Sequence, residues 1–193
     1  MRLVLLRFAL GPIILVFYVS GGHPYWYLLI LTLGFLSDVF DGIIARRIGV
    51  STQKLRSLDS WADTVFYVCV FLVSLGEYYD KIYQYWAPIS VLIALELIRH
   101  IYEQFKFGKS ASYHMWSAKF WGICLYLGFM QLLGFGEAGY LFLAAIVSGI
   151  VTDVEGLVAS MILKSWHVDV PSIIHAYKIK KAEKDDIVSR DFT

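Results

Sequence analysis

The chain is poor in cysteine, proline and net charge, and each shortage narrows the reading. Its two cysteines, Cys69 and Cys124, both sit inside apolar runs. A disulfide framework is therefore not expected, and both read as small core fillers. Seventeen Lys and Arg against 16 Asp and Glu leave a formal net charge of +1, so bulk charge gives no ground for a nucleic-acid partner. Prolines number only four, which leaves long stretches free to be helical; Pro12 is expected to kink the first of them. The first apolar run lacks a small-residue cleavage site and contains Arg7, so no cleavable signal peptide is expected. Internal repeats, heptad runs and a separate soluble domain are all missing.

What the chain has in abundance is apolar side chains. They make up 58% of its 193 residues, 17% are aromatic, and the mean hydropathy is +0.61. Soluble domains hold about 45–50% apolar residues. The expectation is an all-α integral membrane protein with six transmembrane helices, over residues 3–19, 25–46, 58–75, 83–102, 115–133 and 140–163. Turns are expected at 20–24, 76–81 and 134–139, with a basic loop at 46–56 and another loop at 103–113. Residues 1–164 would form the membrane domain and 165–193 a polar, basic tail. Within that tail, 174–181 reads either as an interfacial helix or as a solvated topology anchor. Six spans put both termini on one side. Sixteen of the 17 Lys and Arg fall in segments on that side, and only Lys81 falls opposite. By the positive-inside rule that side is cytoplasmic, in a bacterial inner membrane or its equivalent.

Four carboxylates stand at the ends of two of these apolar runs. At about 100° per residue, Asp38 and Asp41 share one helix face, and Asp59 and Asp63 share a face of the next. A charged side chain at the centre of a membrane helix costs on the order of 2.5–3.5 kcal/mol, less near its ends. Converging carboxylates also repel one another, so a cationic compensation is needed. Hard divalent ions take oxygen ligands, and Mg²⁺ commonly combines a few carboxylates with substrate phosphates. The residues therefore point to metal-dependent phosphoryl transfer at a membrane surface.

The run Asp38-x2-Asp41-Gly42-x2-Ala45-Arg46-x12-Asp59-x3-Asp63 resembles the signature of the CDP-alcohol phosphotransferase family. Seven fixed residues match across residues 38–63. One position differs: the family has a glycine four residues before the third aspartate, and here that residue is Leu55, with the spacing intact. The resemblance implies that Asp38, Asp41, Asp59 and Asp63 hold two Mg²⁺ ions (Mn²⁺ is an alternative) against the diphosphate of a CDP-alcohol. It implies that Asp63 is also the general base on the acceptor hydroxyl. Asp38, Gly42, Ala45 and Arg46 would contact the nucleotide. The donor implied is CDP-diacylglycerol, the acceptor a small polar alcohol, the released product CMP, and the setting phospholipid biosynthesis as a homodimer among membrane lipids.

The acceptor site is less sharply drawn. Arg56, Arg99, Lys109 and Lys119 are the candidates. A phosphorylated acceptor would want them gathered as a phosphate pocket, whereas serine would need them less strongly. Three of them have a plainer reading too: Arg56 as a topology charge, Arg99 as a snorkelling side chain, and Lys119 as a buried lysine paired with Glu96, Asp153 or Glu155. Asp153 and Glu155 are two residues apart and point about 160° from each other, so they do not share a ligand. Three other functions remain open. They are an inactive family homologue, a transferase using CDP-choline or CDP-ethanolamine, and a divalent-cation transporter.

Overall fold

A computed structural model describes residues 2–48, 53–109, 113 and 115–190 of the chain, with the side chains of 2, 45–48, 53–57 and 184–190 outside the description. Among the described residues it is all helical. The helices are α1 (Arg2–Val19), α2 (Pro24–Ile48), α3 (Gln53–Tyr83), α4 (Trp86–Phe107), α5 (Trp116–Phe135), α6 (Tyr140–Ile162) and α7 (Ile173–Arg190). Among the described residues, four segments are long and apolar enough to cross a membrane: Pro24–Ile44, Leu58–Tyr83, Trp116–Phe135 and Tyr140–Ile162. The apolar stretch of α1, Leu3–Val19, is shorter. α4 matches the others in length, but Glu96, Arg99, Glu103 and Lys106 interrupt its apolar character.

The expected loop at 46–56 is shorter, since α2 runs to Ile48 and α3 starts at Gln53, and two further boundaries also differ from the sequence expectation. The turn expected at 76–81 is helical; α3 runs on to Tyr83 with a single non-helical residue, Tyr78 (φ −134°, ψ 40°). Two of its polar residues gain partners within the fold. Tyr27 Oη donates to Glu77 Oε1 at 2.9 Å, while Lys81 donates to the Gly136 carbonyl and pairs with Glu137 at 3.0 Å. Likewise α4 continues through Phe107, and Glu103, expected in a loop, is fully buried. The helix stops at Gly108, whose φ of 70° closes a bond from its N–H to the Gln104 carbonyl.

The chain divides into two compact units, Met1–Tyr85 with Leu125–Leu143, and Trp86–Cys124 with Ala144–Thr193. In the first, α1 packs against both α2 and α3. Its interior is Ile14, Leu31, Phe66, Val70, Val73, Leu132 and Leu133. In the second, Tyr113, Met115, Ala159, Leu163, Val170 and Ala176 form one buried cluster. The tail therefore does not leave the fold at residue 165: Val170 and Ala176 of the α7 region are fully buried in that cluster. Cys69 and Cys124 are both buried free thiols.

Candidate active site

The first unit brings Asp38 and Asp41 of α2 and Asp59 and Asp63 of α3 around Arg7 of α1. The packing that does this is legible residue by residue. A Cβ on Gly34 would stand 2.4 Å from Cζ of Phe66, and one on Gly11 would stand 3.3 Å from the Phe66 Cα. The three helices thus approach closely where no side chain fits on α1 or α2 and Phe66 fills the gap from α3. Along a helix, residues three and four apart share a face. Arg7 lies four before Gly11, Asp38 four after Gly34, and Asp63 three before Phe66. One turn beyond the crossing, all three helices present charge.

The guanidinium of Arg7 is 1% exposed and meets every carboxylate. Its Nη1 donates to Asp63 Oδ1 and lies 3.2 Å from Asp38 Oδ1. Its Nη2 lies 3.1 Å from Asp59 Oδ1 and 3.9 Å from Asp41 Oδ2. Nε lies 3.4 Å from Ser37 Oγ, which itself donates to the Gly34 carbonyl at 2.7 Å. The Asp59 and Asp41 contacts are close but not aligned: Arg7 Nη2, Asp41 Oδ2 and Asp59 Oδ1 are all buried without a hydrogen-bond partner. We read them as charge pairs, because separation governs Coulombic attraction whereas a hydrogen bond also needs the angle.

Asp38, Asp59 and Asp63 each offer an oxygen, and these oxygens lie within 4.8 Å of one another. Asp41 stands outside that triple. The donor set consists of hard oxygens alone, which suits Mg²⁺, Ca²⁺ or Mn²⁺ over softer metals. Misaligned, buried carboxylate oxygens are lone pairs left over for a cation. The residues fit a divalent ion. Asp38 and Asp63 are 50% and 37% exposed, so the cluster is open to solutes. Gly42, next to Asp41, is exposed and leaves the α2 surface bare there. The side chains of Ala45, Arg46, Leu55 and Arg56, expected at the nucleotide and acceptor, lie outside the described residues.

The remaining acceptor candidates lie in the second unit, and each is engaged there. Arg99 Nε donates to Asp153 Oδ1 at 2.9 Å and Nη2 to Glu96 Oε1 at 2.8 Å, with Nη1 3.6 Å from Glu103 Oε1. Gly156 makes room for it, since a Cβ there would lie 2.9 Å from Arg99 Cδ. Asp153 is fully buried and Glu155 half-buried, in line with their divergent directions. Lys119 is exposed and sits 4.3 Å over the Trp116 ring, which corrects the expectation of a buried lysine paired with Glu96, Asp153 or Glu155. Lys109 sits 3.6 Å over the Trp166 ring.

Sequence reasoning placed the four aspartates but missed Arg7 as their partner. The available signal was an arginine inside an apolar helix, which by default marks a functional position. No curated protein and no solved structure matches the chain. The family model of CDP-alcohol phosphatidyltransferase, however, matches residues 2–165, which takes in α1 with Arg7 as well as the aspartates. Signature, helical framework and carboxylate cluster agree with that match: the chain belongs to the CDP-alcohol phosphatidyltransferase family.

Proposed function

We propose that this protein transfers the phosphatidyl group of CDP-diacylglycerol to a small polar alcohol, releasing CMP, at the aspartate cluster of α2 and α3. The observation that carries the reading is the convergence of Asp38, Asp59 and Asp63 within 4.8 Å in an apolar helical unit. The family uses divalent metal, and Mg²⁺ is the ion proposed here. Asp38, Asp41, Asp59 and Asp63 would hold it, two ions in all, and when bound it would neutralise the diphosphate and stabilise the leaving oxygen. Asp63 holds the acceptor hydroxyl and takes its proton as the acceptor oxygen bonds to the phosphatidyl phosphorus. The bond from that phosphorus to the CMP oxygen breaks in the same displacement. A positioned base of this kind is worth about 10²–10⁴-fold.

The acceptor proposed is an alcohol without a phosphate. Among the described candidates, Arg99 already faces Glu96, Asp153 and Glu103, and Lys109 and Lys119 lie over aromatic rings, which supports serine-like over phosphorylated acceptors. Six spans with the cluster facing the cytoplasm complete the reading; the distribution of basic residues supports it. The test is Mg²⁺-dependent CMP release from CDP-diacylglycerol across a panel of acceptors. Stimulation by one unphosphorylated alcohol is expected, and stimulation by glycerol 3-phosphate alone would overturn the acceptor assignment. A second reading, an inactive homologue, is favoured by Leu55 in place of the signature glycine. It predicts binding of metal and nucleotide without turnover for any acceptor.

A further inference from the structure

The geometry points to Arg7 as a built-in counter-ion that occupies the aspartate cluster when metal is absent and competes with divalent ions for it, thereby setting the metal affinity of the site. The inference rests on the reading that the cluster binds divalent metal. Among the described side chains, four carboxylates surround one guanidinium, a formal excess of three negative charges. Arg7 therefore offsets part of the repulsion without satisfying the cluster. Its contacts have the same incomplete character: Nη1 is bonded to Asp63, while Nη2 reaches Asp41 and Asp59 by proximity without hydrogen-bond alignment.

Arg7 and a divalent ion draw on the same three carboxylates. Asp38 Oδ1, Asp59 Oδ1 and Asp63 Oδ1 are the atoms facing the guanidinium, and these three residues form the candidate metal triple. A buried cation 3.1–3.2 Å from an oxygen opposes a second cation on that oxygen by Coulomb repulsion, more strongly here than in water. Filling the cluster with metal must therefore weaken the Arg7 contacts. Arginine suits the role because its five N–H donors spread one charge over several carboxylates, which a lysine ammonium does less well. The Ser37 hydroxyl, 3.4 Å from Nε and fixed on the Gly34 carbonyl, gives the side chain a tether outside the carboxylates.

The experiment uses the purified full-length chain and its Arg7→Met and Arg7→Lys variants. Mn²⁺ binding is titrated calorimetrically, and thermal midpoints are read in EDTA and in excess Mn²⁺. Arg7→Met should bind Mn²⁺ at least about tenfold more tightly than wild type. Its midpoint should fall in EDTA and recover in Mn²⁺. Arg7→Lys should lie between the two. Unchanged or weaker Mn²⁺ binding in the variants would overturn the inference and leave Arg7 as a residue that positions the aspartates. If Arg7→Met does not fold in either condition, Arg7→Lys decides on the same criterion. Absence of Mn²⁺ binding in wild type and variants alike would instead overturn the metal reading of the cluster, and with it this inference.

Discussion

Gly34→Ala adds one methyl group at the helix crossing that places the aspartates, and its outcome can be worked from distances. The new Cβ would lie 2.4 Å from Phe66 Cζ and 2.7 Å from Cε1. Carbon atoms rest at about 3.5–4.0 Å, so something must move by roughly 1 Å. The ring has little freedom to do so: Phe66 is 1% exposed and packs edge-on against Tyr67 at 5.3 Å. Replacing a helical glycine by alanine favours the helix by about 1 kcal/mol. Overpacking a filled core costs about 1–3 kcal/mol. The clash wins, with a net loss of about 1 kcal/mol and a fall of about 2–4 °C in thermal midpoint for a chain of this size.

The effect on turnover should exceed the effect on stability. Asp38 lies one turn from Gly34, and Asp63 one turn from Phe66, so pushing the crossing apart separates the carboxylates. A misplacement of about 1 Å can cost about 10²-fold in rate. The assay is CMP release alongside thermal unfolding in detergent, with Gly122→Ala as the control. Nothing lies within 4 Å of a Cβ at Gly122, so that variant should be fully active and as stable as wild type or slightly more so. Wild-type turnover in Gly34→Ala together with a raised midpoint would refute the reasoning, because the crossing would then not govern the spacing of the aspartates.

Asp63→Asn should lower turnover by about 10²–10⁴-fold while nucleotide binding stays measurable; near-normal rates would remove Asp63 as the base. Excess EDTA should stop the reaction and Mg²⁺ restore it, and activity that persists under chelation would remove the metal mechanism. Arg99→Gln strips the cation from Glu96, Glu103 and Asp153, two of them fully buried, and should destabilise the chain by about 3–5 kcal/mol. A raised acceptor KM with unchanged stability would instead make Arg99 a substrate contact. Leu55→Gly should keep or improve donor affinity as read by nucleotide binding, and a clear loss would mean that the start of α3 is built around the leucine.

The aspartate cluster was legible because spacings of three and four residues fix a common helix face whatever else the helix touches. Asp38 with Asp41, and Asp59 with Asp63, needed no knowledge of neighbours. Arg7 did need it. An apolar helix with a weakly patterned face does not reveal which helix lies beside it, so the pairing of α1 with both α2 and α3 came only with the fold. Glu96, Arg99 and Glu103 repeat the lesson. Their spacing announces one helix face, but Asp153, which completes the network, lies 54 residues beyond Arg99 in sequence. Polar residues at 76–81 read as a turn because hydrophilicity normally means solvent. Here Glu77 and Lys81 are also bonded to Tyr27 and the Gly136 carbonyl, and those partners are a tertiary fact.

The two arginine-centred clusters differ in how deeply their carboxylates are buried: Glu103 and Asp153 beside Arg99 are sealed while Glu96 is 36% exposed, and none of the four carboxylates beside Arg7 is sealed. Arg7 faces four carboxylates, of which Asp38 is half exposed and Asp63 more than a third. Solutes can reach those carboxylates, so under the proposed function an ion and a substrate phosphate would meet them without unfolding the unit. Arg99 faces three carboxylates, and Glu103 and Asp153 are fully buried. For Arg99 to bind an acceptor phosphate it would have to abandon sealed carboxylates, leaving buried charge uncompensated at a cost of about 3–5 kcal/mol. An ordinary phosphate contact, a charge-assisted hydrogen bond of about 1.5–3 kcal/mol, does not return that much. The same comparison that makes the first cluster a site therefore makes the second a fixed element of its own unit.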